Sequence, residues 1–154
     1  MSSSYLDAQS FLRIVDQTPL VSMDLILEDN SGHILLGQRK NPPAQNDYFV
    51  PGGRILKNET LESAFKRLCA HELGLSLDWS QAHLLGVYEH MYHDNFLKAE
   101  GVSTHYVVMA YRIVLEDTAQ PDLQAQHHRF DWWSVGALLT SDQVHANTKA
   151  YFDI

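Results

Sequence analysis

One carboxylate in the stretch from Pro51 to Leu75 stands where it could do chemistry. The stretch reads PGGRILKNETLESAFKRLCAHELGL. On a helix of 3.6 residues per turn, Glu72 follows Leu68 by one turn, so its carboxylate projects from the middle of an apolar stripe. A lone carboxylate in such surroundings is unfavourable unless a cation or several donors compensate it. The pattern predicts that Glu72 binds a metal ion, and pairing with an arginine is the alternative.

The helix that carries Glu72 has a start signal and a stop signal. Thr60 is a favourable N-cap, and Gly74 stands where a left-handed residue ends a helix. The pair Gly52 and Gly53 predicts a tight turn before the helix, since glycine adopts positive φ without steric penalty. Cys69, at the edge of the apolar stripe, is expected to pack rather than to react. The residues predicted to face the core are Leu61, Ala64, Phe65, Leu68 and Leu75; those predicted to face away are Glu62, Ser63, Lys66 and Ala70.

The rest of the chain combines short strands with a few helices, a pattern of the α+β class. On the first strand, apolar Val21, Met23, Leu25 and Leu27 alternate with Ser22, Asp24, Ile26 and Glu28, which predicts one apolar and one polar side. Residues 41–47, with two prolines, and 116–129, with no apolar period, are predicted loops. Periodicity and turn residues predict helices over 7–16, 134–139 and 142–152, and strands over 20–28, 33–38, 48–50, 84–92, 104–115 and 130–133.

Composition limits the classes of partner. A chain of 154 residues is expected to form a single domain, residues 1–154. The formal net charge of −8 argues against nucleic acid, which needs a basic face, but leaves a nucleotide ligand open. A single cysteine excludes an internal disulfide and fits a reducing compartment. No apolar run approaches the roughly 18 residues of a membrane span, and residues 1–9 lack signal-peptide features. We expect a cytoplasmic protein that binds no membrane.

The segment around Glu72 resembles the signature of the Nudix hydrolases: a Gly, five residues, a Glu, seven residues, Arg-Glu, and two Glu shortly before a Gly. The matching residues are Gly53, Glu59, Arg67, Glu72 and Gly74. Leu68 and His71 stand where the family has two further glutamates, so ligands for additional magnesium ions and a candidate base are missing. The resemblance implies an α/β/α Nudix sandwich with a mixed β-sheet and a central helix. It also implies that Arg67 braces the loop of Glu59.

The same departure, together with the flanking GQRKNPPAQNDYFVPGGR, resembles one branch of the family, the GDP-mannose mannosyl hydrolases. The similarity extends from TPLVSMD to SDQVHANTKAYF. It implies one Mg²⁺ per subunit, bound by a glycine carbonyl, the helix glutamate and a loop glutamine, which are here Gly52, Glu72 and Gln126. Trp132, six residues after Gln126, anchors the alignment, and Gln124 is a nearby alternative. The branch also implies a homodimer, for which no stretch of the sequence defines an interface.

Three further residues are candidates for binding a sugar diphosphate, two from their chemistry and place in the chain and one from the resemblance. Such a ligand needs planar bidentate donors beside the metal ion, and Arg39 and Arg54 are expected to reach the pocket of Glu72. Surface ion pairs are the alternative for both arginines. Tyr106 matches a tyrosine that donates to the departing pyrophosphate, although packing is the commoner role of a tyrosine on a half-buried strand.

Candidates for the chemistry at the sugar come from a loop and two strands. His127 matches the general base of the branch, and a neutral imidazole suits that role at about pH 7. Without the resemblance, His127 and His128 are solvated loop residues. Asp24 and His90 match residues that lie against the sugar and favour a cationic, oxocarbenium-like centre. For Asp24, a solvent-facing carboxylate is the alternative.

The expected reaction is the Mg²⁺-assisted hydrolysis of a GDP-hexose to GDP and free sugar, by attack of water on the anomeric carbon with inversion. The guanosine preference comes from the resemblance, and both GDP-mannose and GDP-glucose fit. Two alternatives stay open. One is a pyrophosphohydrolase that yields a nucleoside monophosphate and a sugar phosphate. The other is a module that binds a nucleotide sugar without cleaving it.

Overall fold

The structure, a computed structural model, describes residues 5–116, 120–122 and 129–153. The predicted elements are present there, most of them with ends shifted by a residue, and the predicted loop 116–129 lies largely outside the described residues. The helices are α1 (Ala8–Gln17), α2 (Leu61–Leu73), α3 (Val135–Thr140) and α4 (Ala146–Lys149), with a 3₁₀ turn at Trp79–Gln81. The strands are β1 (Leu20–Glu28), β2 (Ile34–Gln38), β3 (Tyr48–Phe49), β4 (Gly52–Arg54), β5 (His83–Tyr92), β6 (Thr104–Val114) and β7 (Phe130–Trp133).

The seven strands of the described chain form one mixed sheet, ordered β3-β2-β1-β6-β5, with β4 paired to β1 and β7 to β2. β1 and β6 run parallel along their length, and the other pairings are antiparallel. The edge of β1 opposite β6 is shared by two strands, since β4 pairs with residues 22–24 and β2 pairs at Glu28. This division places the glycine-containing strand β4 directly beside Asp24.

Helices cover both faces of the sheet, which confirms the α/β/α arrangement. On one face, Phe65 and Leu68 of α2 pack in a core with Leu25 of β1. On the other face, Leu138 of α3 packs in a second core with Ile26 of β1. Among the described helices, none combines the length and the apolar composition that a bilayer span requires.

The second core corrects the prediction of a polar side on β1. Ile26 is 2% exposed and Ser22 is 5% exposed, although both belong to the set predicted to be polar-facing. Conversely, Val21, predicted to face the core, is 44% exposed. A strand covered on both faces is apolar almost throughout, so alternation is a weak guide to its orientation. Met23, Leu25 and Leu27 are fully buried, as predicted.

The boundaries of α2 agree with the sequence. Thr60 Oγ1 accepts a hydrogen bond from the Ser63 amide (3.1 Å), and Gly74 adopts a left-handed φ of 65°. Leu61, predicted to face the core, is 38% exposed, because the buried part of the helix begins one turn later. The buried residues of α2 are Ala64, Phe65, Leu68, Cys69 and Leu73.

Gly52 and Gly53 do not form the predicted turn with positive φ. Both lie in β4, and neither is among the residues with positive φ. Close approach requires glycine instead, since an ideal Cβ at Gly52 would lie 2.4 Å from the Met23 carbonyl oxygen. One at Gly53 would lie 2.6 Å from Leu68 Cδ2. The two glycines allow β4 to lie against β1 and α2 at the same time.

The helix predicted over 142–152 is reduced to α4, because the residues before it pair with β3. The Tyr48 amide donates to the Gln143 carbonyl (2.8 Å), and the His145 amide donates to the Tyr48 carbonyl (3.1 Å). Val144, between them, forms a parallel bridge with Tyr48. After α4 the chain buries Tyr151 in the second core.

Candidate active site

Two concavities adjoin along β4. The larger, here the outer cleft, has a volume of about 270 Å³ and contains Glu72. The smaller, here the inner pocket, has a volume of about 100 Å³ and contains Asp24, Arg54 and His90. Every site residue predicted from the sequence that the structure describes lines one or both of them. The shared lining residues are Arg39, Phe49, Val50, Gly52, Gly53 and Tyr106.

Glu72 is the side chain of α2 that lines the outer cleft, and it is half-buried in the last turn of the helix. Leu68, one turn earlier, is 2% exposed and lies against Gly53, and His71 is exposed. Within the described part of the chain, no group of three or more His, Cys, Asp or Glu is arranged to hold a metal ion. Any metal in this cleft therefore needs ligands besides acidic side chains and imidazoles from the described residues.

The carbonyl of Gly52 is oriented to be such a ligand. The Leu25 amide of β1 donates to the Pro51 carbonyl (2.8 Å). Successive carbonyls along a strand point in opposite directions across the ladder, so the Gly52 carbonyl points away from β1. Mg²⁺ and similar hard cations take carboxylate and backbone carbonyl oxygens. Because Gly52 and Glu72 line the same cleft, the oxygen donors there fit such an ion.

Arg39 brings positive charge to the junction of the cleft and the pocket. Its guanidinium lies 5.5 Å from the centroid of the Phe49 ring, and its Nε is buried without a hydrogen-bond partner among the described residues. A buried donor without a partner is unfavourable, and a bound anion would satisfy it. Burial raises the pKa of the adjacent Tyr106 and outweighs the positive charges of Arg39 and Arg54, which lower it. The Tyr106 hydroxyl therefore stays protonated at neutral pH and can donate.

Arg54 lies at the inner pocket and is stacked rather than ion-paired. Its guanidinium is 4.7 Å from the centroid of the Phe11 ring of α1. Among the salt bridges of the described residues, none involves Arg39 or Arg54. The surface ion pairs considered as their alternative role are absent from that part of the structure.

Asp24 and His90 lie together in the inner pocket. Burial raises the pKa of the half-buried Asp24 to about 7, although a hydrogen bond from Tyr151 and the charge of Arg39 lower it. The Tyr151 hydroxyl donates to Asp24 Oδ2 (2.5 Å) and lies 3.4 Å from His90 Nε2. Burial, with a smaller effect of His145, lowers the pKa of His90 to about 4. The pocket thus pairs a carboxyl group that titrates near neutral pH with an uncharged imidazole.

The NUDIX domain family model matches residues 18–153 of this chain. The chain belongs to the Nudix family. The predicted family and fold are therefore confirmed, and the chain is assigned to a family of hydrolases that generally use divalent metal ions. The segment matched contains every element from β1 to α4.

Relatives of the chain include both sequences and solved structures. The low-salt glycan biosynthesis protein Agl8 of Haloferax volcanii is 41% identical over 115 residues, which are 74% of this chain and 70% of that protein. The crystal structure of a MutT NUDIX hydrolase from Burkholderia pseudomallei has a TM-score of 0.68 and 24% identity, covering 88% of this chain and 96% of that one. The NUDIX domain of Shewanella oneidensis NrtR, in complex with ADP ribose, has a TM-score of 0.64 and 19% identity, covering 99% and 97%. The two structures share the Nudix fold with this chain.

Two residues of the Nudix signature, Glu59 and Arg67, brace the loop before α2, as the resemblance implies. Arg67 Nε donates to Glu59 Oε2 (2.7 Å), and Arg67 Nη2 donates to Glu59 Oε1 (3.0 Å) and to the Arg54 carbonyl (2.8 Å). Glu59 Oε1 also accepts from the Leu56 amide (2.8 Å). The brace fixes the backbone that follows β4 and holds Arg54 beside the inner pocket.

Gln126, its alternative Gln124, and His127 lie outside the described residues, as does the neighbouring His128. The roles of Gln126, or Gln124, as a metal ligand and of His127 as a base stay predictions. Two tyrosines not singled out from the sequence also belong to this region. Tyr92 lines the inner pocket and accepts from Asn147 Nδ2 (3.2 Å), and Tyr151 binds Asp24. The available signal for Tyr151 and Asn147 was their place in SDQVHANTKAYF, the stretch similar to the mannosyl hydrolase branch.

Proposed function

We propose that this Nudix protein hydrolyses a GDP-hexose, GDP-mannose or GDP-glucose, to GDP and free sugar. The observation that carries the proposal is that α2 places one carboxylate in the outer cleft. Leu68 is buried against Gly53 and His71 is exposed, so the helix offers the outer cleft one carboxylate, Glu72. The second carboxyl group, Asp24, lies in the adjoining inner pocket. This separation suits a phosphate-binding cleft beside a pocket for a sugar.

The outer cleft would hold the diphosphate. Glu72, the Gly52 carbonyl and Gln126 would bind one Mg²⁺, which supplies charge neutralisation of the departing diphosphate. The buried Nε of Arg39 has no hydrogen-bond partner in the described part of the chain and would donate to the same anion. Tyr106, whose pKa is raised by burial, would donate from its protonated hydroxyl. A diphosphate stabilised in this way leaves without an acid to protonate it.

The inner pocket would hold the sugar at its anomeric centre. His90 is neutral, because burial lowers its pKa to about 4, so it adds no positive charge beside an oxocarbenium-like centre. Asp24 titrates at about pH 7, and a developing positive charge nearby favours its ionised form. Both properties suit a transition state with positive charge on the sugar. Arg54 would approach from the phosphate side of the same pocket.

Water would be activated by His127 on the face opposite the leaving group, which gives inversion at the anomeric carbon. His127→Gln is expected to lower kcat about 10²-fold or more with little change in KM, since general-base catalysis contributes on that scale. His128→Gln is the matched control, and its kcat should stay near the wild-type value. An unchanged kcat in His127→Gln would remove that residue from the role.

The metal site has its own test. Titration with Mn²⁺, followed by electron paramagnetic resonance, is expected to show one site per chain, weakened in Glu72→Gln. His71→Gln serves as the control because His71 is exposed in the neighbouring position of the same helix turn. Equal weakening by both substitutions would contradict the assignment of Glu72.

Product identity separates this function from its alternatives. Incubation of GDP-mannose, GDP-glucose, UDP-glucose and ADP-ribose with Mg²⁺ should give free hexose and GDP from a GDP-hexose, with the products separated by chromatography. Sugar phosphate with nucleoside monophosphate would favour a pyrophosphohydrolase, and no product from any substrate would favour a binding module. We also propose a homodimer, for which sedimentation equilibrium should give twice the 17.5 kDa of one chain.

A further inference from the structure

The C-terminal segment, residues 143–151, is fastened to the strand that borders the site. Beyond its two hydrogen bonds with Tyr48, the segment accepts a bond from the Val50 amide at Thr148 Oγ1 (3.4 Å). Val50 itself lines both the outer cleft and the inner pocket. The segment is therefore bonded to the wall of the site, and its conformation determines where Tyr151 lies.

Tyr151 is buried, and it is connected to the inner pocket through its contacts with Asp24 and His90. It is 7% exposed, and its ring packs edge-on against Tyr88 with centroids 4.7 Å apart. It is not among the described residues that line the cleft or the pocket. Its hydroxyl nevertheless contacts two residues that do, Asp24 at 2.5 Å and His90 at 3.4 Å.

The contact with Tyr151 restrains the Asp24 carboxyl group. Oδ2 accepts the tyrosine hydroxyl, and Oδ1 lies over β4, 2.6 Å from the position that a Cβ would occupy at Gly52. Burial and the neighbouring carboxyl group raise the pKa of Tyr151, so the hydroxyl stays a donor over the physiological pH range. The hydrogen bond at Oδ2 therefore restricts rotation of the Asp24 carboxyl group about its terminal bond.

The same contact selects a tautomer of His90. Because the tyrosine proton is given to Asp24, the tyrosine oxygen is left as an acceptor toward His90. The 3.4 Å contact with His90 Nε2 is then favourable only when Nε2 carries the hydrogen. Since His90 is neutral, Nδ1 is the unprotonated nitrogen. This tautomer is assigned from the hydrogen-bond network.

We propose that Tyr151 is a positioning residue of this site, which orients the Asp24 carboxyl group and fixes the His90 tautomer against the sugar. The inference rests on the proposed function, because the group that is oriented is the one assigned to the sugar. Among the described residues, the Tyr151 hydroxyl bonds to Asp24 and His90 and not to the phosphate-binding Arg39 or Tyr106. Its removal should therefore affect the sugar end of the reaction and leave the diphosphate end intact.

The test compares Tyr151→Phe with Tyr88→Phe. Both lose one hydroxyl group from tyrosines that contact each other, but only Tyr151 bonds to Asp24. With GDP-mannose, kcat of Tyr151→Phe is expected to fall about tenfold or more, as for loss of a hydrogen bond to a charged group, while the affinity for GDP stays within about twofold. Tyr88→Phe should match the wild type in both. Loss of GDP affinity in parallel with kcat would indicate a collapsed site and overturn the inference, as would an unchanged kcat.

A double-mutant cycle with Asp24 separates positioning from general support of the fold. In the Asp24→Asn background, Tyr151→Phe is expected to change kcat by less than about twofold, because the two residues act as one unit. Independent, multiplicative losses would contradict the positioning role. Proton NMR of the unliganded protein adds a readout that needs no turnover. A low-field hydroxyl resonance from the short Tyr151–Asp24 bond should vanish in Tyr151→Phe and persist in Tyr88→Phe, and its absence from the wild type would also count against the inference.

Failure of the proposed function has a different signature. Wild-type protein that forms sugar phosphate instead of free sugar contradicts the proposed function. The role of Tyr151 is then tested by measuring kcat of the same variants and the same double-mutant cycle for that reaction. Wild-type protein that turns over no nucleotide sugar overturns both. Wild-type protein that releases free sugar, with Tyr151→Phe equally active, overturns only the role of Tyr151.

Discussion

Replacing Gly52 by alanine is expected to destabilise the protein strongly. An added Cβ would lie 2.4 Å from the Met23 carbonyl oxygen and 2.6 Å from Asp24 Oδ1. Met23 cannot yield, because it lies in β1 with β6 hydrogen-bonded on one side and β4 on the other. β4 must therefore retract from β1. At Gly53, the added Cβ would meet only the end of the Leu68 side chain at 2.6 Å, and at Gly136 in α3 it would meet nothing within 4 Å.

The contacts set the expected magnitudes. Retraction of β4 weakens the bonds from the Leu25 amide to Pro51 and from the Ile55 amide to Val21, at 2.8 and 2.9 Å. A weakened hydrogen bond costs about 1 kcal/mol net and overpacking costs about 1–3 kcal/mol, so the free energy of unfolding of Gly52→Ala should fall by about 2–4 kcal/mol. Gly53→Ala should lose about 1–2 kcal/mol, because a buried leucine has to change rotamer. Gly136→Ala should gain about 0.5–1 kcal/mol from the helix preference of alanine.

Urea unfolding followed by circular dichroism, in buffer with a chelator, measures this series without any ligand contribution. The thermal midpoint of Gly52→Ala should fall by roughly 5–15 °C, since a chain of this length loses about 2–4 °C per kcal/mol. A free energy of unfolding within about 0.5 kcal/mol of the wild type for Gly52→Ala, or a larger loss for Gly53→Ala, would refute the close-approach explanation of this glycine pair.

Three further outcomes follow from the charged and buried groups. The pKa of Asp24 is raised to about 7, so the contribution of Asp24 to stability is lost as pH rises through that value. Asp24→Asn should therefore have a free energy of unfolding about 1–2 kcal/mol above that of the wild type at pH 8, and a smaller excess at pH 6. The Arg67 hydrogen bonds lower the pKa of Glu59 below its reference of 4.5, giving stability that is present above that pH and lost on acidification. Arg67→Met should therefore lower the free energy of unfolding at pH 7 by about 1–3 kcal/mol and flatten the acid dependence; an unaltered acid limb would contradict the brace. Burial raises the pKa of the Cys69 thiol to about 12, so Ellman's reagent should label it in urea but not in the native protein, and rapid native labelling would contradict its packing.

The sequence predicted local features well because their signals are local. The cap at Thr60, the left-handed Gly74 and the buried residues from Ala64 onward all lie within α2 itself. The predicted turn at Gly52 and Gly53 is wrong, because the groups that exclude a side chain there belong to β1 and α2, which only the fold brings together. Ile26 was placed on a polar side for the same reason, since the second core that covers it is built from distant segments.

The candidate site shows the same division. Glu72 could be singled out from the helical pattern alone, but its association with Asp24, Arg39 and His90 depended on the resemblance to a known family. The structure brings these residues to adjoining concavities from α2, β1, the end of β2 and β5. Tyr151 escaped prediction because it lies 127 positions from Asp24 in the chain, and no periodic or capping pattern links them.

The position of bond cleavage tests the central claim most directly. Hydrolysis of GDP-mannose in oxygen-18 water with Mg²⁺, followed by mass spectrometry of both products, reports which atom the water attacks. Attack on the anomeric carbon predicts that the label appears in the hexose and that GDP is unlabelled. Label in the nucleotide, or in a sugar phosphate, would contradict the account.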